Sequence, residues 1–179
     1  DENRAIELVN KEVEAFESEF KTVWLNFMRQ KIGLNTAEDG DFELVQDLLN
    51  TMEECEADFT LTFRRLSQAA RGESASIRHL FNNPTLYDLW ERDWHSRLGR
   101  ETTSSDERAT KMDKVNPVYI PRNHKVEEAL SMAVNDGDLS AFKTILATVS
   151  APFVEILGRE SFAEPGPKTS VPYRTFCGT

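Results

Sequence analysis

Few side chains in this chain are suited to chemistry. Its thiols are Cys55 and Cys177, and its imidazoles are His79, His95 and His124. A zinc centre needs three or four converging nitrogen or sulfur ligands. These three histidines are far apart and form no H-x-x-x-H pair, so no metal site is expected. Cys55 beside a histidine would make a nucleophile on paper. However, Cys55 continues the apolar series Val45, Leu48, Leu49 and Met52, where burial disfavours the thiolate. Cys177 is third from the end of a Pro- and Gly-containing stretch, where packing does not explain a cysteine. It is therefore the candidate reactive thiol. A phosphate cradle needs closely spaced glycines so that backbone N–H groups can reach the anion. No two of the eight glycines are closer than seven residues. Arg64-Arg65 is too short a basic pair to hold a phosphate, and the abundant carboxylates fall on outer helical faces. The chain by itself is therefore expected to carry no catalytic residue, no metal and no cofactor.

Charge narrows the partners. Residues 1–60 hold 16 acidic and 5 basic side chains, a balance of −11, within a net charge of −10. A nucleic-acid phosphate backbone rewards clustered Lys and Arg, so no nucleic-acid partner is expected. The acidic third instead serves solubility or faces a basic surface. No run of 18 or more apolar residues exists, so no membrane partner is expected either. Two cysteines form no disulfide framework, which fits a reducing compartment. No basic-then-apolar leader is visible. The chain opens on Asp1 and is helically periodic at once, as a piece of a longer polypeptide would be.

The elements that must position these residues are helical. Ile6, Val9, Val13, Phe16, Phe20, Val23 and Phe27 recur at spacings of three and four, predicting one helix over residues 2–32 that docks on a bundle. Three heptads leave a coiled coil as the alternative. Gly33 is its stop. A second helix starts near Asp41, and Asp58 or Thr60 caps a third through Phe63 and Leu66. Ser74 opens a short helix. Asn83-Pro84 is a cap followed by proline in the first turn. The helix after it presents Leu86, Leu89, Trp90, Trp94 and Leu98. The polar stretch 99–106 precedes a short helix ending near Val115. A further helix runs from about Arg122 to Asn135 with Val126, Leu130 and Ala133 inside. The next is faced by Leu139, Phe142, Ile145, Leu146 and Val149. Asp39-Gly40-Asp41 and Asp136-Gly137-Asp138 lack the ligand set of a calcium loop, and each reads as a glycine stop followed by an aspartate cap. The expectation is an all-α, bundle-like module of about seven helices over residues 1–151. An irregular tail over 152–179 carries Cys177.

One segment is different in kind. Asn116-Pro117-Val118-Tyr119-Ile120-Pro121-Arg122-Asn123 frames an apolar trio with prolines, which disfavours helix and predicts extended chain. It is either a helix-to-helix connector or a docking segment. Asn116, Tyr119, Arg122 and Asn123, with Tyr173 of the tail, are the candidate interface residues.

Together with DFTLTFRRLSQ (58–68), NDGDLSAFKTIL (135–146) and the ending YRTFCGT (173–179), the stretch NPVYIPRNHKVEEAL (116–130) resembles the C-terminal region of the selenoprotein O family. The Asn-Pro-x-Tyr-x-x-Arg-Asn element and the near-terminal cysteine are the most specific parts. The resemblance implies a pseudokinase-like protein adenylyltransferase. Such an enzyme binds ATP inverted in a kinase-like fold and moves AMP, with a divalent metal such as Mg, onto protein hydroxyls. The glycine-rich loop, lysine, and metal-binding Asn and Asp of that family lie upstream of the region resembled here, so no catalytic residue carries over. Cys177 matches the redox position, which in the family can pair with a cysteine of the core. The implied partners are the kinase-like core of the same polypeptide and the parent enzyme's protein substrates. The implied location is the bacterial cytoplasm, or the mitochondrion in a eukaryote. The alternative reading is an autonomous helical interaction module with an acidic surface.

Overall fold

Three of the helices open on a side-chain cap that the sequence supplies. The computed structural model describes residues 2–167, and among them it holds helices and no strand, an all-α fold. The helices are α1 (Glu2–Lys31), α2 (Asp41–Glu54), α3 (Phe59–Ala69), α4 (Ala75–Arg78), α5 (Pro84–Leu98), α6 (Ser105–Val115), α7 (Asn123–Asp136), α8 (Ser140–Val149) and α9 (Glu160–Ala163). Asp58 accepts a bond from the Leu61 N–H at 2.8 Å and opens α3. Asn83 accepts from the Thr85 N–H at 3.3 Å, with Pro84 following in the first turn of α5. The Ser104 hydroxyl accepts from the Glu107 N–H at 3.3 Å and opens α6. Such caps supply partners that the first helical turn lacks. The chain divides into two compact units, Asp1–Val118 and Tyr119–Thr179.

The first unit is assembled round one apolar core. Met28 and Ile32 enter it from the end of α1 and its exit. Val45, Leu48 and Met52 come from α2, Phe63 and Leu66 from α3, and Met112 from α6. From α5 come Tyr87, Trp90, Trp94 and Leu98. The two indoles stack with centroids 5.4 Å apart, and each has a partner for its N–H. Trp94 Nε1 donates to the Ile32 carbonyl at 2.8 Å, and Trp90 Nε1 to that of Leu44 at 2.9 Å. Buried indoles usually find such acceptors. Leu89, expected inside, is exposed, and Tyr87 is buried in its stead. At about 100° per residue, Leu89 lies roughly 130° round the helix from the centre of the Tyr87–Trp90–Trp94 face. Cys55 is buried as expected, its Sγ 3.6 Å from the Asn83 carbonyl oxygen.

The second unit is a hairpin of α7 and α8, followed by the single turn α9. Gly137 closes α7 with φ +66, a left-handed conformation that a side chain would strain. Asp138 then accepts from the Ser140 N–H at 2.8 Å and the Ser140 hydroxyl at 2.9 Å, holding the first turn of α8. The interior of this unit is small, with Ala129, Thr148, Tyr119 and Ala163 buried.

Candidate docking surface

Seven apolar side chains of α1 between Ile6 and Phe27 are left uncovered by the described residues. Ile6, Val9, Val13, Phe16, Phe20, Val23 and Phe27 are 47–68% exposed. They repeat as three, four, three, four, three, four, which keeps them in one row along the helix. Phe16 and Phe20 stack on each other with centroids 6.2 Å apart. Val9, Glu12, Val13 and Phe16 frame a shallow groove of about 370 Å³ on the row. At the root, the Trp24 ring meets Phe42 of α2 edge-on at 6.0 Å, and Phe42 is itself exposed, so the apolar surface extends onto α2. The expectation that this row docks on the chain's own bundle is corrected here. Only the last turns of α1 reach the core, and they do so through a different set, Met28 and Ile32 fully and Trp24 and Leu25 in part. Periodicity shows that a face seeks cover; it does not say whose.

What fixes the root is a buried ion network that sequence reading missed. Asp41, taken for a helix cap, is 1% exposed. Its Oδ1 accepts from Arg97 Nε at 2.7 Å, and its Oδ2 accepts from Arg29 Nε at 2.6 Å and from the Glu38 N–H at 2.9 Å. Arg97 reaches on to Glu101 Oε1 at 3.0 Å and to the Thr36 carbonyl at 2.9 Å. That same Glu101 oxygen accepts from the Thr36 N–H and hydroxyl, at 3.1 and 2.7 Å. Burial alone would raise the pKa of Asp41. The bonds from Arg97, the Glu38 N–H and Arg29 outweigh it and hold the carboxyl below the usual range. Glu101 follows the same logic, burial being overcome by Thr36 and Arg97. The network ties α1 (Arg29), α2 (Asp41) and α5 (Arg97) at one point. Its bonded members are up to 65 residues apart, a separation that local pattern does not report. The α1 exit is further set by Gly33, at φ +78. A Cβ there would stand 2.7 Å from Met112 Sδ and 2.8 Å from Arg108 Cγ.

The proline-framed segment is non-helical from Asn116 to Arg122. In the first unit, Asn116 is fully buried and its Nδ2 donates to the Lys31 carbonyl at 2.8 Å. In the second, the Tyr119 N–H donates to the Pro152 carbonyl at 3.2 Å, and its hydroxyl accepts from the Ile156 N–H at 3.0 Å. Arg122 Nη2 donates to the Ala163 carbonyl at 2.8 Å, and Asn123 is exposed at the start of α7. Ile120, Arg122, His124 and Gly166 contribute to a cleft of about 350 Å³. Tyr173 and Cys177 lie outside the described residues.

A second bare face lies on the hairpin. Leu130, expected inside α7, is exposed, as are Leu139, Phe142 and Leu146 of the α8 region. The small Ala129 and Thr148 occupy the interior instead. Among the described residues, no three His, Cys, Asp or Glu side chains converge as a metal would require, and no helix is long and apolar enough to cross a membrane.

The sequence has relatives among known proteins. The family model for protein adenylyltransferase SelO matches residues 5–150. A protein nucleotidyltransferase YdiU of Agrobacterium fabrum is 43% identical over 176 residues, which are 98% of this chain and 36% of the relative. Its namesake in Rhizobium meliloti is 42% identical, over 98% of this chain and 36% of the relative. The one in Rhodopseudomonas palustris is 39% identical, over 100% of this chain and 37% of the relative. The chain thus spans little more than a third of the length of the curated relatives it matches.

Proposed function

The chain belongs to the protein adenylyltransferase SelO family, and from that membership we propose that it is the helical, non-catalytic C-terminal part of a longer protein adenylyltransferase. In this reading the parent enzyme moves AMP from ATP to Ser, Thr or Tyr hydroxyls of protein substrates. ATP and magnesium are held by a kinase-like core elsewhere in the same polypeptide. The 179 residues buttress that core, and Cys177 gives them a redox-sensitive position beside it. The carrying observation is the pair of bare apolar faces, the row on α1 and the α7–α8 hairpin, each with apolar side chains about half exposed or more. Such faces mark surfaces that other protein covers.

Labelled ATP with magnesium tests this. The full-length polypeptide should label a protein acceptor, and residues 1–179 alone should not. Labelling by the 179 residues, or a micromolar ATP complex seen by calorimetry, would overturn the division of labour. No labelling by the full-length protein would overturn AMP transfer itself. For Cys177, mild oxidation of the full-length protein should join it to a cysteine outside these 179 residues. A Cys55–Cys177 bridge in its place would remove the redox role.

A further inference from the structure

The row on α1 has flanks as well as a face. Its spacing puts Ile6, Val13, Phe20 and Phe27 on one edge of a heptad seam and Val9, Phe16 and Val23 on the other. The positions beside such a seam, which face a partner helix, are occupied in the middle by Glu12, Glu17 and Glu19. No basic residue stands at any flanking position between Asn10 and Asn26, because Lys11 and Lys21 fall on the far side. Lys21 reaches from there to Glu17 at 2.7 Å within the helix and offsets its charge, so Glu12 and Glu19 carry the acidity of the seam edge.

This pattern argues against a second copy. In a parallel pair, Glu12 of one helix would face Glu17 of the other. In an antiparallel pair, glutamate would again face glutamate. Like charges at these positions oppose pairing, and opposite charges select partners. The row spans roughly 32 Å at 1.5 Å per residue, so its cover must be a groove of that length. The relatives carry nearly two thirds of their length outside the part that this chain matches. We propose that the Ile6–Phe27 seam docks into an apolar groove flanked by Lys and Arg in that remaining part of the same polypeptide. The acidic edge supplies the register. This inference rests on the reading of the chain as one part of a longer enzyme, and it adds which helix docks and what chemistry receives it.

The test is hydroxyl-radical footprinting of the full-length polypeptide, reading oxidation of Phe16 and Phe20 by peptide mass spectrometry. Rates at least about fivefold below those of the same residues in the urea-unfolded protein are expected, independent of protein concentration, from a monomer by light scattering. Rates near the unfolded ones overturn the docking, and protection that appears only with dimerisation assigns the seam to a second copy. The charge argument is tested with the triple variant Glu12→Lys, Glu17→Lys, Glu19→Lys, whose helix content is checked by circular dichroism. At low salt, oxidation of Phe16 should rise at least about threefold, and the rise should shrink at high salt. Unchanged protection overturns the basic flank. AMP transfer is assayed separately. A protected seam in a protein that transfers no AMP defeats the functional reading alone, and a bare seam in an active enzyme defeats the docking alone.

Discussion

At its C-terminal end α1 is part of a core: Met28 is buried, Ile32 beyond the last turn has no exposed surface, and the Ile32 carbonyl accepts the Trp94 indole. From Ile6 to Phe27 the same helix carries side chains that are equally apolar and about half exposed or more. The two stretches do not differ in hydrophobicity. At the root, Asp41, Arg97 and Gly33 set the position and direction of the helix, so a core can close round it. Further out, no described residue competes for the row. The root is therefore a stability element of the first unit, while the row is a surface whose burial depends on another part of the protein.

Substitutions in the 179-residue chain separate the two roles. Asp41→Ala should act most strongly, because it leaves Arg97 and Arg29 without their shared carboxylate. Breaking a buried pair from one side costs about 4 kcal/mol, read as a drop in unfolding free energy in urea. Ile32→Ala should cost about 3 kcal/mol through the lost burial and the cavity left behind. A loss under 1 kcal/mol would mean that the root packs less tightly than described. Acid gives a smaller, graded effect. Asp41 and Glu101 titrate below their ordinary values in the fold. Their contribution is therefore complete above the unfolded carboxylate range of about 4 and is lost as pH falls through the lower folded values. Urea midpoints should be flat from pH 7 to 5 and fall below about 4, and the Asp41→Asn variant should show a shallower fall. Last, Phe16→Ala in this chain should change stability by less than about 0.5 kcal/mol, as for any exposed side chain. A loss above 1.5 kcal/mol would show that the row is already covered and that the contrast between root and row is false.

The same contrast sets how far sequence reading reached. Helix ends were readable because they are local: Asp58, Asn83-Pro84, Gly33 and Gly137 act within a few residues of themselves. The heptad row was readable too, since spacing is a property of one helix. Its docking on the chain's own bundle was not, because periodicity reports a need for cover without naming the source. Leu130 and Phe142 failed for that reason, each being apolar and in period yet exposed, whereas Leu89 failed because it stands on another side of α5 from Tyr87, Trp90 and Trp94. Asp41 failed for the opposite reason. A first-turn aspartate looks like a cap, and only the arrival of Arg97 from 56 residues away makes it a buried hub. Of the candidate interface residues, Asn116 and Tyr119 were singled out through the prolines around them, and both are buried within the chain. Their partners, Lys31 and Ile156, were not visible in the same pattern.

Gly33 has a mechanical consequence. Packed against Met112 and Arg108, it is the fulcrum from which α1 extends. Ile6 stands about 40 Å along the axis from it, so a tilt of ~10° at the fulcrum carries the tip about 7 Å sideways. That is more than the width of a side chain at Ile6 and shrinks to about 1.6 Å at Phe27, so the far end of the row is what leaves its register. A methyl group at residue 33, far from the row, would thus act on it as a lever. Whatever part of the strain the Met112 and Arg108 side chains did not absorb would reach the tip of α1 magnified, with every seam side chain intact.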